Sequence, residues 1–167
     1  MIKSGNLPKE ATSLHLVRFQ DCDPFGHLNN SRYLDYFMNA REDQLKDTYG
    51  FDIIDFQKKT GLAWVVVQSQ VSYLRPVHPM ETVAISSRVI SYSDKTVTAE
   101  LQMHDKTKTK LKAVLWTKFV QISVTNGKSA EQPGELLQFF GQVLFTEDAP
   151  ITDNFEKRVQ QIKAQYS

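Results

Sequence analysis

Between Asp21 and Tyr33 the chain reads Asp-Cys-Asp-Pro-Phe-Gly-His-Leu-Asn-Asn-Ser-Arg-Tyr. A carboxylate in such a stretch can attack a carbonyl carbon to form a mixed anhydride, or take a proton from a water that attacks instead. The sequence leaves both routes open for Asp23. Asn30 follows it by seven residues, and Pro24 and Gly26 let the chain between them fold back on itself. If a helix starts near Asn30, its first N–H groups lack helical acceptors and sit at the positive end of the helix dipole. That environment suits a carbonyl oxygen that turns negative during acyl transfer, so the helix start can polarise a thioester. His27 can donate to the same carbonyl or hold the loop. An Asp before a helix also serves as an Asx-turn or cap, and Asn29 and Ser31 read most simply as caps.

The elements around this stretch are readable. LHLVRF, from Leu14, is a first strand after a flexible lead-in over residues 1–11. From Ser31, Leu34, Phe37, Met38, Arg41 and Leu45 recur at helical spacing, Gly50 stands as a left-handed C-terminal cap, and Glu42 and Lys46 form an i,i+4 pair. Residues 51–60 form a short helix or turn, and 62–74 a buried strand. Three more strands cover 81–91, 95–104 and 110–124, joined by hairpins and therefore antiparallel. Val97, Ala99, Leu101 and Met103 alternate with Thr98, Glu100, Gln102 and His104, which predicts one buried face and one wet face. The tail carries two helices, one in GELLQFFGQVLF and one after a break at Pro150, where Phe155, Val159, Ile162 and Tyr166 recur. The expected architecture is α+β, a long helix covering one face of an antiparallel sheet, in one domain over 1–167 with a core at about 13–125 and a helical extension over 130–167.

Composition removes several classes of function. Lys plus Arg total 20 against 19 acids, so there is no basic field for nucleic acid. Cys22 is the single cysteine, which excludes an intrachain disulfide and a Cys-based zinc cage; flanked by two acids, its thiol is a poor nucleophile and reads as packing. His15, His78 and His104 fall at no metal-ligand spacing and read as surface strand and turn positions, so no metal is expected. The polar N-terminus lacks the apolar core of a signal peptide, and the apolar run over 62–67 is too short to span a membrane. A cytoplasmic protein is expected. Trp64 and Trp116 read as strand core, with pocket lining as the alternative. Neither GxSxG nor GxGxxG occurs.

The signature Asp-x-Asp-x-x-Gly-His-x-Asn-Asn-x-x-Tyr resembles that of the 4-hydroxybenzoyl-CoA thioesterase-like branch of the hotdog fold, over roughly residues 13–125. SYLRPVHPMETVAI is similar to that family's strand, Pro-containing turn and acidic residue opening the next strand. The resemblance implies a five-stranded antiparallel sheet wrapped around a long central helix, and hydrolysis of acyl-CoA to free acid and CoA with no cofactor beyond the CoA of the substrate. It implies Asp23 as the catalytic carboxylate, the Asn30 N–H as the group holding the thioester carbonyl, and His27 at a position that varies between subfamilies. Asp21 matches a frequently acidic site and reads as loop structure, and Tyr33 and Tyr36 as helix packing or pocket wall. A homodimer or tetramer with sites at the subunit boundary is implied, an apolar slot between helices taking the acyl group. Arg75, Lys95 and the Lys106 to Lys112 run are candidates for the CoA phosphates, although such charges also keep strand edges soluble. An acyl-carrier-protein thioesterase and a non-catalytic acyl-thioester binding module are the alternatives.

Overall fold

The computed structural model describes residues 2–146 and 151–166, so the expected break at Pro150 lies outside the described residues. In chain order the elements are β1 (Glu10–Leu16), α1 (Tyr33–Tyr49), α2 (Ile53–Thr60), β2 (Leu62–Tyr73), β3 (Thr82–Tyr92), β4 (Thr96–Asp105), β5 (Leu111–Ser123), α3 (Gly134–Val143) and α4 (Phe155–Ala164). One antiparallel sheet has the order β1-β3-β4-β5-β2. This is the hotdog fold, with α1 as its central helix. β1 starts earlier than expected, because Glu10 and Ala11 already pair with Arg88 and Ser87.

α1 ends at Gly50, whose φ of 70° is the left-handed C-cap the sequence calls for. Asp52 then caps α2 by accepting from Ile54 and Asp55 N–H, and its second oxygen draws Lys46 to 3.7 Å. Lys46 therefore pairs with Asp52 rather than with Glu42. The inner face of the sheet packs Val83, Ile85, Ala99, Leu101, Met103 and Leu115 against Tyr33, Phe37 and Ala40 of α1. Towards the far end of α1, Tyr49 and Phe51 meet Leu136, Phe139 and Phe140 of α3 in a second apolar cluster.

Two further expectations about the sheet fail, each for a tertiary reason. The strand at Leu62–Tyr73 is an edge strand, and Val66 and Val67 are 50% and 54% exposed on the single chain. The outer face of β4 is not wet, because α4 lies across it. Glu100 and His104 are fully buried and Gln102 nearly so, and Trp116 of β5 donates its indole N–H to Glu100 there. His104 is thus no surface residue; its ring lies 4.8 Å from that of Tyr166.

Candidate active site

The loop before α1 closes as a small hairpin. Asp23 N–H donates to the His27 carbonyl at 2.8 Å, Gly26 N–H returns to the Asp23 carbonyl at 3.0 Å, and Cys22 and Leu28 form a bridge. Gly26 takes a φ of 75°, a left-handed conformation that costs glycine nothing. Asp23 itself sets the turn: its Oδ1 accepts from the N–H of Phe25 at 2.9 Å and of His27 at 3.1 Å. Oδ1 is thereby the structural oxygen, and Oδ2 makes no hydrogen bond among the described residues.

The chain then enters a 3-10 turn at Asn30–Arg32 before α1 proper. Asn29 caps this turn, its Oδ1 accepting from Ser31 N–H and the Ser31 hydroxyl, both at 3.0 Å. Its own N–H donates to the Asp21 carbonyl at 3.0 Å, and Arg32 N–H reaches the Asn29 carbonyl at 2.8 Å. Among the described residues nothing accepts from the Asn30 N–H, which is the open donor of the helix start. The Asn30 carbonyl receives the Tyr73 hydroxyl at 3.2 Å.

Asp21 supports the loop: its Oδ2 accepts the Tyr36 hydroxyl at 2.7 Å, and Tyr36 in turn accepts from Arg18 N–H. Tyr33 is buried, edge-on to Tyr73 at 5.0 Å, and its phenol is pushed up to about 12, by burial first and then by Tyr73, Glu81, Cys22 and Asp23. It is packing and wall at neutral pH, not an acid. Burial, then Asp21 and Asp23, also push the Cys22 thiol up, which keeps it protonated.

Tyr73, at the end of β2, and His78, in the β2–β3 connection, join the site although the motif does not contain them. His78 Nδ1 lies 3.2 Å from the Gly26 carbonyl, so this nitrogen carries the proton if the contact is a hydrogen bond. His27 packs edge-on against His78 at 5.3 Å. Leu28 N–H donates to the Val77 carbonyl, and Glu81 accepts from His78 N–H at 2.9 Å while pairing with Lys112 at 2.8 Å. The signal for these partners was present in the SYLRPVHPMETVAI segment, but only the sheet order brings it against the loop.

The phosphate candidates are scattered. Arg75 borders a cleft of about 510 Å³ with Lys163 and Tyr166 under α4. Lys95 lies in the β3–β4 hairpin, next to the start of β4, whereas the Asp23 loop adjoins the start of β3 and the end of β4. One chain therefore places Lys95 and Asp23 at opposite ends of the sheet. Lys112 and Lys108 are engaged by Glu81 and Glu10. Trp116 is core as read, while Trp64 follows the alternative reading and lines an open-sided cavity of about 320 Å³ bordered by α1, α2, α3 and the inner face of the sheet. Met38, Leu45, Phe119, Phe139 and Phe140 share that lining. Among the described residues no group of His, Cys, Asp or Glu is placed to hold a metal ion, and no helix is long and apolar enough to cross a membrane.

The five-stranded antiparallel sheet around α1, with the Asp23 hairpin before the helix start, is an architecture shared with solved thioesterases. The chain belongs to the thioesterase-like superfamily, whose sequence profile matches residues 17–140. It is 30% identical over 80 residues to the long-chain acyl-CoA thioesterase FadM of Escherichia coli, a match over 48% of this chain and 58% of that protein, so the matched stretch spans little more than half of the relative's length. Among solved structures it resembles YbaW, a probable thioesterase from Escherichia coli, with a TM-score of 0.69 and 25% identity over 80% of this chain and 98% of that one. A DHNA-CoA thioesterase from Staphylococcus aureus shares the fold at a TM-score of 0.71 and 17% identity, over 95% of each chain.

Proposed function

We propose that this thioester hydrolase cleaves acyl-CoA to free acid and CoA, with Asp23 as nucleophile or general base. The observation that carries the reading is one loop that presents both an open Asn30 N–H and an Asp23 whose Oδ1 is fixed by two backbone donors and whose Oδ2 is uncommitted among the described residues. A carbonyl oxygen on the Asn30 N–H meets a preorganised donor at a helix start, and the developing negative charge strengthens that contact. The free Asp23 oxygen then attacks the carbon or deprotonates water. His27 steadies the loop beside the carbonyl, and Tyr33 forms the wall. No cofactor enters this scheme beyond the CoA of the substrate.

A homodimer joined along β2 fits the exposed valines of that edge, since an unpaired apolar strand invites a second copy. Lys95 serves a CoA phosphate only across such a boundary, whereas Arg75 serves one from its cleft with Lys163. FadM acts on long-chain acyl-CoA, which with the cytoplasmic setting of CoA esters favours a cytoplasmic enzyme of the same substrate class.

The test is thiol release from short, medium, long-chain and aromatic acyl-CoAs, with wild type beside Asp23→Asn. Release that depends on Asp23 supports the reading. Release unchanged in the variant removes Asp23 from the mechanism, and silence from every CoA ester shifts the assignment to an acyl-carrier-protein ester or a binding role.

A further inference from the structure

Arg41 stands in the apolar stripe of α1 and is 7% exposed. A guanidinium carries five N–H donors and stays charged at neutral pH. Here the one hydrogen bond it makes among the described residues is from Nη1 to the Ser87 hydroxyl at 3.1 Å. No carboxylate comes within ion-pairing distance of it among the described residues; Glu42, the next residue, is exposed at the rim of the same cavity. Burial pulls Arg41 below its ordinary value, with Tyr49 opposing.

Its surroundings hold it in place rather than neutralise it. Ser87 donates to Gln44 Oε1, and Gln44 Nε2 is tied to the Ile85 carbonyl and the Ser13 hydroxyl, both at 2.8 Å. A buried cation is costly unless a ligand or partner compensates it. Arg41 lines the 320 Å³ cavity among Met38, Leu45, Phe119, Phe139 and Phe140. Fork geometry and charge match a carboxylate, which can take two parallel N–H donors.

We infer that this cavity receives the acyl chain and that Arg41 binds a carboxylate at the chain's far end, making the preferred substrate an ω-carboxyacyl thioester. The inference rests on the thioesterase reading and adds the substrate class. Leu34, Met38, Arg41 and Leu45 recur on one side of α1 at spacings of three and four, and the last three of them line the cavity. Asn30 and Arg41 are 11 residues apart, about 16 Å at ~1.5 Å rise per residue. An extended chain advances ~1.2 Å per bond, from three bonds in ~3.3–3.6 Å, so about a dozen carbons bridge the two groups.

The experiment compares kcat/KM for dodecanoyl-CoA and dodecanedioyl-CoA in wild type, Arg41→Gln, Arg41→Lys and Asp23→Asn. In parallel, calorimetry measures binding of the two corresponding CoA thioethers, which cannot be hydrolysed. Wild type is expected to favour the ω-carboxyl ester and thioether by roughly 10- to 100-fold, the range of a charged hydrogen-bonded contact. Arg41→Gln should bring the ratio near one, and Arg41→Lys should keep part of it because charge remains while the fork is lost. If Arg41→Gln misfolds by circular dichroism, the wild-type ratio and Arg41→Lys decide. A wild-type ratio of one or less overturns the inference, as does a ratio that Arg41→Gln leaves unmoved. A ratio of one joined to loss of the oligomer in Arg41→Gln also overturns it, because a second copy then supplies the counter-charge. Failure of the hydrolase reading looks different: neither ester is cleaved in an Asp23-dependent way, while the thioether preference is still measured.

Discussion

Glu100 and Arg158 form a bidentate pair beneath α4, Arg158 Nε donating to Oε2 at 2.8 Å and Nη2 to Oε1 at 3.0 Å. The Trp116 indole N–H donates to Oε2 and the Gln102 amide to Oε1, both at 2.9 Å, and Arg88 Nε stands 3.9 Å from Oε1. This pair joins the C-terminal extension to the outer face of the sheet. Arg158→Met should destabilise the fold by about 3 kcal/mol in urea unfolding, because it removes the bidentate counter-charge of a buried carboxylate and leaves it to the neutral donors Trp116 and Gln102 and to Arg88 at 3.9 Å. Glu100→Gln with Arg158→Met should recover part of that loss. Burial alone would push the Glu100 carboxyl up, but the hydrogen bonds of Arg158 and Trp116 and the charges of Arg158 and Arg88 hold it below the ordinary carboxylate range. Its contribution is therefore full above the ordinary value and fades as pH falls through the lowered one. The double variant should flatten that acid limb.

His104 gives a second, separate pH window. Among the described residues neither buried ring nitrogen has a hydrogen-bond partner, and burial first, then Lys108, lowers the ring to about 4 from 6.5, with Glu10 and Asp105 opposing. The fold holds this ring neutral while the unfolded chain protonates it. Stability should thus be complete above pH 6.5 and decline as pH falls towards about 4. His104→Leu should remove a decline on the order of 1–2 kcal/mol, allowing for screening, as read from melting temperature against pH.

Local chemistry in the sequence declares some of these features, whereas long-range packing hides others. The hairpin at Asp23, the start near Asn30 and the Gly50 cap are local, and turn and cap chemistry declares them. The outer face of β4 was misread because alternation reports only that one face is polar. Water and a helix bearing Arg158 satisfy Glu100 equally well, and their difference lies 58 residues away. Tyr73 and His78 were missed as site residues for the same reason, since only the β1-β3-β4-β5-β2 order brings their connection to the loop. Arg41 falls within the helical stripe, but periodicity does not reveal that no carboxylate faces it among the described residues.

Asp23→Asn separates the two roles of one side chain. The amide oxygen can still accept from Phe25 and His27 N–H, so the hairpin and the melting temperature should be kept. The charge and the basic oxygen are lost, so turnover should fall by about 10²- to 10⁴-fold. Asp23→Ala should lose the turn as well, with a lower melting temperature.

The edge at β2 predicts assembly. Light scattering should show at least a dimer, and Val67→Lys, which sets a charge on the exposed edge, should weaken it by tenfold or more. A monomeric wild type with full activity would contradict a site completed at a subunit boundary.

Tyr73 tests whether the helix start must be held to work. Its hydroxyl donates to the carbonyl of Asn30, the residue whose N–H is open, while its ring packs on Tyr33. Tyr73→Phe keeps the ring contact and removes the donor. If that bond orients the Asn30 peptide towards the thioester carbonyl, kcat should drop by about threefold to tenfold, the range of a neutral hydrogen bond, with KM and melting temperature nearly unchanged. A change in KM alone would instead place the hydroxyl in substrate binding.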